Sequence, residues 1–502
     1  MFTGTVHSFS LTQIILPYAK VAQMGLPDNF KIARAERRVA LERAFVRVIG
    51  GPENPHDWDF RMGIYRRSVI DRNCEEWRGR DPQLAQLVEA FEKELRALGR
   101  IDFDDMPLLA IRALQQHAWL RDALLAKYPI LIVDEYQDLG LALHHMVMEL
   151  CFNTGMRLFA VGDVDQSIYG FTGAAPELLQ QLSTHDDVET IRLRLNYRCG
   201  SRIVTASTYA LGEERDYEAA KETGEGTIYF HSQSGSYQEH ASFLCSTLLP
   251  EIRARLPHLK LGDIAVLYPA AYIGNNVAEA AQAAGFSILR SDGNALYPRG
   301  NRLMRWLEQC AEWCCGGWQT GSPRFGRIVN EGERLFSEAL STEDARLFFQ
   351  QKLIDVLWRQ RSESEILAHW LQNLYNILLS DLVKVCRTME DDADILITFI
   401  ERCLAGDCQS MSISQFAGQS SGQDSLNLST LHSSKGREFA VIVMFGMDAG
   451  RLPRRNATRR ELVESRRLFY VGLTRAKAEV HMMFSASNPS QFVSELQGRL
   501  AE

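Results

Sequence analysis

The chain has 502 residues, of which 46% are hydrophobic and 24% are charged, and its formal net charge is −8. These values are typical of a soluble protein with about three domains, and they exclude fibrous and low-complexity chains. No apolar run approaches the roughly 18 residues that a membrane-spanning helix needs, and the first residues do not resemble a secretory signal. Ten cysteines are too few for a disulfide framework at this length. We therefore expect a cytoplasmic protein without a membrane partner.

Helical patterning dominates residues 8–125, where apolar residues recur at spacings of three and four, as in residues 81–91. Residues 128–133 then form a continuous apolar run, which predicts a strand buried on both faces of a parallel sheet. Residues 157–162 repeat this pattern, and a helical stretch at 141–151 separates the two runs. The segment is therefore predicted to be a strand–helix–strand unit of a doubly wound sheet.

A second block of the same kind follows. We predict strands at 262–268, 286–289 and 440–446, a helix at 275–284, and a mainly helical region at 300–420. The Gly-, Ser- and Gln-rich residues 418–423 predict a domain boundary. The predicted fold class is α/β, with two lobes that are each interrupted by a mainly helical insertion.

Acidic residues follow two of the predicted strands. Asp134 and Glu135 come directly after the first apolar run, and Asp163 follows the next one. Ligands of parallel sheets bind at the carboxyl ends of the strands, where one carboxylate can hold Mg²⁺ and its neighbour can act as a general base. The alternative is that these acids only mark the points where the chain emerges into solvent.

The segment after Asp163 carries an amide and two aromatic residues. Gln166 is placed to sense a γ-phosphate, and Tyr169 and Phe171 offer flat faces on which unpaired bases can stack. The alternative is that both aromatic residues belong to the core.

Seven segments in order resemble the motifs of UvrD/Rep-type superfamily 1 DNA helicases. They are residues 4–9 (GTVHSF), 101–106 (IDFDDM), 133–138 (VDEYQD), 162–169 (GDVDQSIY), 193–198 (LRLNYR), 428–439 (LSTLHSSKGREF) and 466–477 (RRLFYVGLTRAK). The resemblance implies two RecA-like P-loop-NTPase lobes, the first incomplete, with ATP bound between them. It places lobe one at 1–7 and 126–197, its helical insertion at 8–125, lobe two at 198–298 and 425–502, and its helical insertion at 299–424.

The resemblance also implies a magnesium-binding residue and four catalytic residues. Asp134 would serve Mg²⁺, Glu135 would be the catalytic base, and Gln166 would report on the γ-phosphate of ATP. Arg198 and Arg475 would stabilise the charge of the transition state, as arginine fingers do. The alternative for a lone Arg is a surface salt bridge.

Further positions would bind the nucleotide and the DNA. Tyr197 would stack on the adenine, and Glu438 would hydrogen-bond the ribose, with Gly436 beside it. The partner implied is single-stranded or partly duplex DNA. Its track would be lined by Thr5, His7, Tyr169, Phe171, Thr430 and His432.

The phosphate-binding loop G-x-x-x-x-G-K-[ST] that such motors need does not occur in the sequence. We consider a misassigned start or truncated gene, a protein partner that supplies or regulates this part of the motor, and a relic that binds DNA without hydrolysis. We expect the chain alone to have no appreciable ATPase activity.

A basic segment lies near the C-terminus. Residues 451–477 contain nine Lys or Arg residues but only two acidic residues. This composition is typical of a surface that follows a phosphate backbone, although a solvated helix face would have it as well. The sequence thus predicts an ATP-dependent DNA helicase or translocase, 3′ to 5′ by resemblance, acting in DNA repair, replication or defence. The alternative is a truncated, non-hydrolysing subunit that binds DNA or a protein partner.

Overall fold

The computed structural model describes residues 2–362, 364–386, 389–406, 408–421 and 425–501. The chain forms two compact units, Met1–Leu193 and Arg194–Glu502, here called unit 1 and unit 2. None of the helices within the described ranges is long and apolar enough to cross a membrane. Both units combine helices with parallel strands, which confirms the predicted α/β class. The predicted bounds of the lobes and insertions stay predictions.

Unit 1 is mainly helical, as predicted, and its local sequence explains where helices begin. Asp81 accepts a hydrogen bond from the Leu84 amide at 3.0 Å, and Pro82 takes the first helical position, where no amide proton is needed. The helices are α1 Val6–Phe9, α2 Leu16–Tyr18, α3 Ala35–Val48, α4 Pro55–Ser68, α5 Glu75–Gly79, α6 Pro82–Ala97, α7 Asp105–Gln116, α8 Ala118–Lys127, α9 Leu141–Cys151 and α10 Glu177–Ser183. The strands are β1 Lys31–Ile32, β2 Arg100–Ile101, β3 Ile130–Val133 and β4 Arg157–Ala160.

A buried arginine organises the middle of unit 1. The guanidinium of Arg66 is completely buried and donates to Glu92, Asp102 and Asp105 at 2.6–2.8 Å. Three carboxylates around one cation raise the pKa of Arg66 well above its ordinary value, although burial opposes them. The network therefore anchors the acidic segment at 101–106, one of the seven motif-like segments.

Strands β3 and β4 pair in parallel, with Val133 opposite Ala160. The prediction that β3 is buried on both faces was wrong, because the Ile132 side chain is 70% exposed and that of Phe159 on β4 is 62% exposed. Leu131 packs on the core of α7, α8 and α9, which covers one face of the pair. The continuous apolar run therefore predicted the strand correctly, but the prediction that both of its faces are buried was incorrect.

Unit 2 is built on a six-stranded parallel sheet. The strands of unit 2, including the separate pair β5 and β6, are β5 Leu195–Asn196, β6 Glu218–Ala219, β7 Thr227–Gln233, β8 Ile264–Tyr268, β9 Ile288–Arg290, β10 Leu426–Thr430, β11 Phe439–Phe445 and β12 Ala476–Ser485. The sheet order is β7-β12-β11-β8-β10-β9, and β5 pairs with β6 separately. The predicted strands at 262–268, 286–289 and 440–446 are confirmed as β8, β9 and β11.

Some helices of unit 2 pack on this sheet, and others form a separate core. They are α11 Ser201–Leu211, α12 Tyr237–Phe243, α13 Leu249–Arg255, α14 Ala271–Ala283, α15 Arg302–Glu312, α16 Trp318–Thr320, α17 Phe325–Leu335, α18 Glu343–Arg359, α19 Leu367–Leu374, α20 Ser380–Val385, α21 Glu390–Ala405, α22 Ile413–Ser421, α23 Arg459–Leu473 and α24 Gln491–Ala501. Residues between Tyr297 and Ala417 form a continuous apolar cluster, which confirms the helical region predicted at 300–420. The stretch predicted to mark a domain boundary, 418–423, includes the end of α22 at Ser421, and positions 422 and 423 lie outside the described residues, so the boundary stays a prediction.

Candidate nucleotide and DNA sites

The acidic pair Asp134–Glu135 lies where β3 ends, and both residues are exposed. The Glu135 amide donates to Oδ1 of Asp134 at 2.9 Å. Glu135 itself has φ +54°, the left-handed region that residues with a side chain rarely adopt. Such backbone strain is concentrated at functional sites, where surrounding contacts hold it in place. The chain thus turns sharply at the proposed base and presents its carboxylate to solvent.

Gln137 ties this turn to the neighbouring strand end. Its side chain is fully buried, and its Nε2 donates to the Glu135 carboxylate. Its Oε1 accepts from the Asp163 amide at 2.9 Å. One amide therefore holds both strand ends in register. The sequence prediction missed this role, although an amide two residues after an acidic pair was the available signal.

Asp163 and Gln166 form the second half of the edge. Nε2 of Gln166 donates to Oδ2 of Asp163 at 2.8 Å, and the Asp165 amide donates to the other oxygen at 2.9 Å. Gly162 lies between β4 and this turn, and a Cβ there would come within 2.7 Å of Oε1 of Gln137. Only glycine fits at this point. Unit 1 thus brings together Asp134, Glu135 and, through Gln137, Asp163 with Gln166.

Two aromatic residues follow this edge. The rings of Tyr169 and Phe171 lie 6.1 Å apart in an edge-to-face arrangement, and Phe171 is 52% exposed. Tyr169 is half-buried, and this burial raises the pKa of its hydroxyl, with smaller contributions from nearby Asp138 and Glu135. Phe171 is therefore open to a ligand, whereas Tyr169 is partly engaged in packing.

The first predicted DNA contacts lie at the start of α1. Thr5 is exposed and caps the helix by accepting from the Ser8 amide at 3.1 Å. The His7 ring lies 6.1 Å from the exposed ring of Phe103, and burial lowers the pKa of His7. Because burial favours the neutral imidazole, His7 is suited to hydrogen bonding rather than to carrying charge.

In unit 2, Arg198 and Glu438 form an ion pair. Nε of Arg198 lies 2.7 Å from the Glu438 carboxylate, and Nζ of Lys477 lies 2.7 Å from its other oxygen. Hydrogen bonds from these two cations lower the pKa of Glu438. Asn196 orients Arg198 by accepting from its amide at 2.8 Å. The adjacent Tyr197 ring is 76% exposed, which leaves its face open for stacking.

Arg475 has different surroundings. It is only 1% exposed, and its Nε donates to the Val471 carbonyl oxygen at 3.1 Å. Its other nitrogens donate to the Arg437 carbonyl and to Oγ1 of Thr474, at 3.4 and 3.3 Å. The guanidinium thus lies against main-chain oxygens at the end of α23, while Arg198 lies with Glu438 at the surface.

The segment after β10 holds the remaining predicted positions. Oγ1 of Thr430 accepts from the Ser433 amide at 3.1 Å and starts the turn that contains His432. Burial lowers the pKa of His432, and the nearby charge of Arg454 lowers it further. Gly436 has φ +77° with open space around its Cα, so the backbone bends there without a side chain. The predicted DNA residue His432 and the basic residue Arg454 are therefore neighbours.

Family comparisons cover both units. Residues 1–186 match the UvrD/REP helicase N-terminal domain, and residues 331–487 match the UvrD-like helicase C-terminal domain. The chain belongs to the UvrD/Rep helicase family. This UvrD/Rep-family chain therefore has two RecA-like lobes, as the motif resemblance implied. Tyr197 and Arg198 lie outside both matched ranges.

Individual relatives align along almost all of this UvrD/Rep-family chain. The ATP-dependent DNA helicase PcrA of Leuconostoc citreum is 25% identical, covering 95% of this chain and 72% of the relative. The ATP-dependent DNA helicase Rep of Salmonella typhimurium is 25% identical, covering 96% and 78%. DNA helicase II of Haemophilus influenzae is 23% identical, covering 99% and 76%.

Proposed function

We propose that this protein is an ATP-dependent DNA helicase that moves 3′ to 5′ along single-stranded DNA in DNA repair, replication or defence. The observation that carries the proposal is the arrangement at the strand ends of unit 1. There Gln137 holds the Glu135 carboxylate and the Asp163 turn with Gln166 together, and Glu135 is held in a left-handed backbone conformation. This arrangement suits the hydrolysis of a nucleotide.

The exposed carboxylates at this edge fit a magnesium nucleotide, because Mg²⁺ prefers oxygen ligands and commonly uses one or two carboxylates with its waters. When bound, Mg²⁺ neutralises charge on the β- and γ-phosphates of ATP. Asp134 would hold the ion. The Glu135 carboxylate would take a proton from the attacking water, and Gln166 would orient that water beside the γ-phosphate.

Unit 2 contains further residues that would bind a nucleotide. The exposed ring of Tyr197 would stack on the adenine, and Glu438, beside Gly436, would accept a hydrogen bond from the ribose. Arg198 would exchange its Glu438 contact for the phosphates, which a surface ion pair permits at little cost. Arg475 would stabilise transition-state charge, and its burial supports a guanidinium already shielded from water.

The DNA would be bound by stacking and by cations. Phe171 and Tyr169 offer faces to unstacked bases, and the exposed arginines after β11 offer charge to phosphates. In unit 1, Thr5 and His7 would add DNA contacts, and in unit 2 the positions implied by the motifs are Thr430 and His432.

Glu135→Gln tests the proposal, with Glu189→Gln as a matched control on an exposed loop residue. The motor proposal predicts that Mg-ATP changes the affinity of the purified chain for oligo(dT) and that single-stranded DNA stimulates hydrolysis. Such hydrolysis would contradict the expectation from the sequence that the chain alone has no appreciable ATPase activity. Glu135→Gln should abolish hydrolysis and keep DNA binding, while Glu189→Gln should behave as wild type. Displacement of a block from the 5′ end but not from the 3′ end would support the polarity.

A second candidate is a subunit that binds DNA without hydrolysing ATP by itself. It is favoured by the exposed ring of Phe171 and the exposed arginines after β11, which could bind DNA without a nucleotide. DNA binding that is indifferent to Mg-ATP, with no turnover above the Glu135→Gln background, would select it over the motor. Loss of DNA binding altogether would contradict both candidates.

A further inference from the structure

A cavity of about 750 Å³ lies in unit 2 at the carboxyl ends of β7, β11 and β12. Its volume is within the range of small-molecule sites. Apart from Arg451 and Arg455 of the basic segment, none of the residues discussed for nucleotide or DNA binding lines it. Its lining includes Tyr237, His240, Asp448, Arg451, Arg455 and Ser485.

A buried histidine lines this cavity without a hydrogen-bond partner. His240 is 2% exposed, and neither Nδ1 nor Nε2 has a partner among the described residues. Its ring lies edge-on to Tyr237 and Phe445, at 6.2 and 6.5 Å. Buried polar groups in native proteins are nearly always hydrogen-bonded, so an unpaired imidazole beside a cavity indicates a partner that enters the cavity.

The charge of the lining is positive. Arg451 and Arg455 are exposed, and neither forms an ion pair with a carboxylate in the part of the chain that the structure describes. Arg451 also lies over the Tyr272 ring, with its guanidinium carbon 5.6 Å from the centroid. Two exposed guanidinium groups without a carboxylate partner, beside the His240 imidazole, are suited to phosphate oxygens, which Arg recognises through paired hydrogen bonds.

The single acid of the lining is already occupied. Oδ2 of Asp448 accepts from the Tyr237 hydroxyl and Oδ1 accepts from the Ser485 amide, both at 2.7 Å. Burial, together with Asp448, raises the pKa of Tyr237 to about 12, so this hydroxyl keeps its proton. Asp448 therefore holds the wall of the cavity in place, and its carboxylate is not available to neutralise the charges of both arginines.

We propose that this cavity binds a phosphate group of a nucleotide-sized ligand, with Arg451 and Arg455 on the phosphate oxygens and His240 hydrogen-bonded to the ligand at the base. The phosphate comes either from one nucleotide unit of a DNA strand or from a free nucleotide. The site is separate from the Glu135 edge and from Tyr197, so it does not depend on the proposed hydrolysis.

The imidazole signal of His240 provides a local probe. The full chain is labelled on histidine with ¹³C, and His240→Asn identifies the signal among the 12 histidines. Inorganic phosphate, dTMP and oligo(dT) are then titrated. We expect dTMP to move the His240 signal and Arg451→Gln/Arg455→Gln to weaken dTMP binding about tenfold or more. Arg253→Gln, an exposed arginine of α13, should change the dissociation constant less than about twofold if the cavity is the site.

The two sources of phosphate give different results. Oligo(dT) that displaces dTMP from the His240 signal assigns the site to a nucleotide unit of the DNA strand, whereas dTMP binding without competition assigns it to a free nucleotide. The proposal is overturned if none of the three probes moves the signal, or if the folded double arginine variant binds dTMP as wild type does. Neither result bears on hydrolysis, which Glu135→Gln measures separately.

Discussion

Gln137 donates a hydrogen bond from its side-chain amide to the carboxylate of Glu135, two residues earlier in the chain. The same amide accepts from the backbone of Asp163 on the neighbouring strand end, at 2.9 Å. Glu135 is the only one of these three residues with a left-handed backbone. The contact therefore holds a strained residue in place and fixes the direction of the carboxylate proposed as the base.

Replacing Gln137 by Leu removes both side-chain hydrogen bonds but keeps a side chain of similar size. The Asp163 amide then loses its partner, and we expect the free energy of unfolding of unit 1 to fall by about 1–3 kcal/mol. Hydrolysis should fall with it, while oligo(dT) affinity stays near that of wild type, because the change lies at the acidic edge. Urea unfolding, ATPase rates and fluorescence anisotropy measure the three quantities. Gln180→Leu, on the exposed face of α10, is the control and should leave all three unchanged.

A methyl group at Gly162 should disturb the same edge. The new Cβ would meet Oε1 of Gln137 at 2.7 Å and Cδ2 of Leu179 at 2.9 Å, so the amide must move. We expect Gly162→Ala to destabilise unit 1 by about 1–3 kcal/mol, as overpacking does. Gly498→Ala has open space on α24 and should be neutral or slightly stabilising. A Gly162→Ala protein as stable as wild type in urea would contradict the tight approach.

Arg454 gives a prediction about salt. It lies near the predicted DNA residue His432, whose pKa it helps to lower. If it contacts a backbone phosphate, Arg454→Gln should reduce the slope of log affinity for oligo(dT) against log salt by about 0.7. Arg253→Gln on α13 should not change the slope. An unchanged slope for Arg454→Gln would show that this side chain does not contact a backbone phosphate of the DNA.

The sequence predicted the elements that it marks with continuous apolar runs. β3, β8 and β11 were found in this way, and Asp134 was placed correctly at the end of its strand because parallel strands end at a common edge. Burial was harder to predict: Ile132 is exposed although its run is apolar throughout. The partners of Gln137 and the burial of Arg475 depend on long-range contacts and left no periodic signal.

β7 and β12 were missed for a related reason. β12 carries Glu479 and His481 between apolar residues, so it has no continuous apolar run, yet both side chains are buried. They are satisfied by partners on other elements, Arg255 on α13 and His231 on β7. A buried polar strand cannot be identified until its partners are known.

The partners of these residues lie in one chain of contacts. Nε2 of His231 lies 3.0 Å from Nδ1 of His481, whose Nε2 lies 3.1 Å from the Glu479 carboxylate. Arg255 binds both oxygens of Glu479, at 3.0 and 2.7 Å. With both imidazoles neutral, each hydrogen bond has one donor and one acceptor. A proton added to Nδ1 of His481 would face the proton of His231, so the network favours the neutral forms.

This network predicts acid sensitivity in unit 2. Burial, His481 and Arg255 lower the pKa of His231 from 6.5 to about 4. The unfolded chain therefore binds more protons between these values, so stability falls as pH decreases through this window. For His231 alone we expect a loss of about 1–2 kcal/mol between about pH 7 and pH 5. Hydrogen exchange of the β12 amides measures this loss of stability.

The variant His231→Gln keeps a hydrogen-bond donor but cannot titrate, so it should flatten the pH dependence of stability by this amount. The control His258→Gln, at an exposed position, should not change the pH dependence. Equal pH dependence in wild type and His231→Gln would show that the sensitivity arises at other groups.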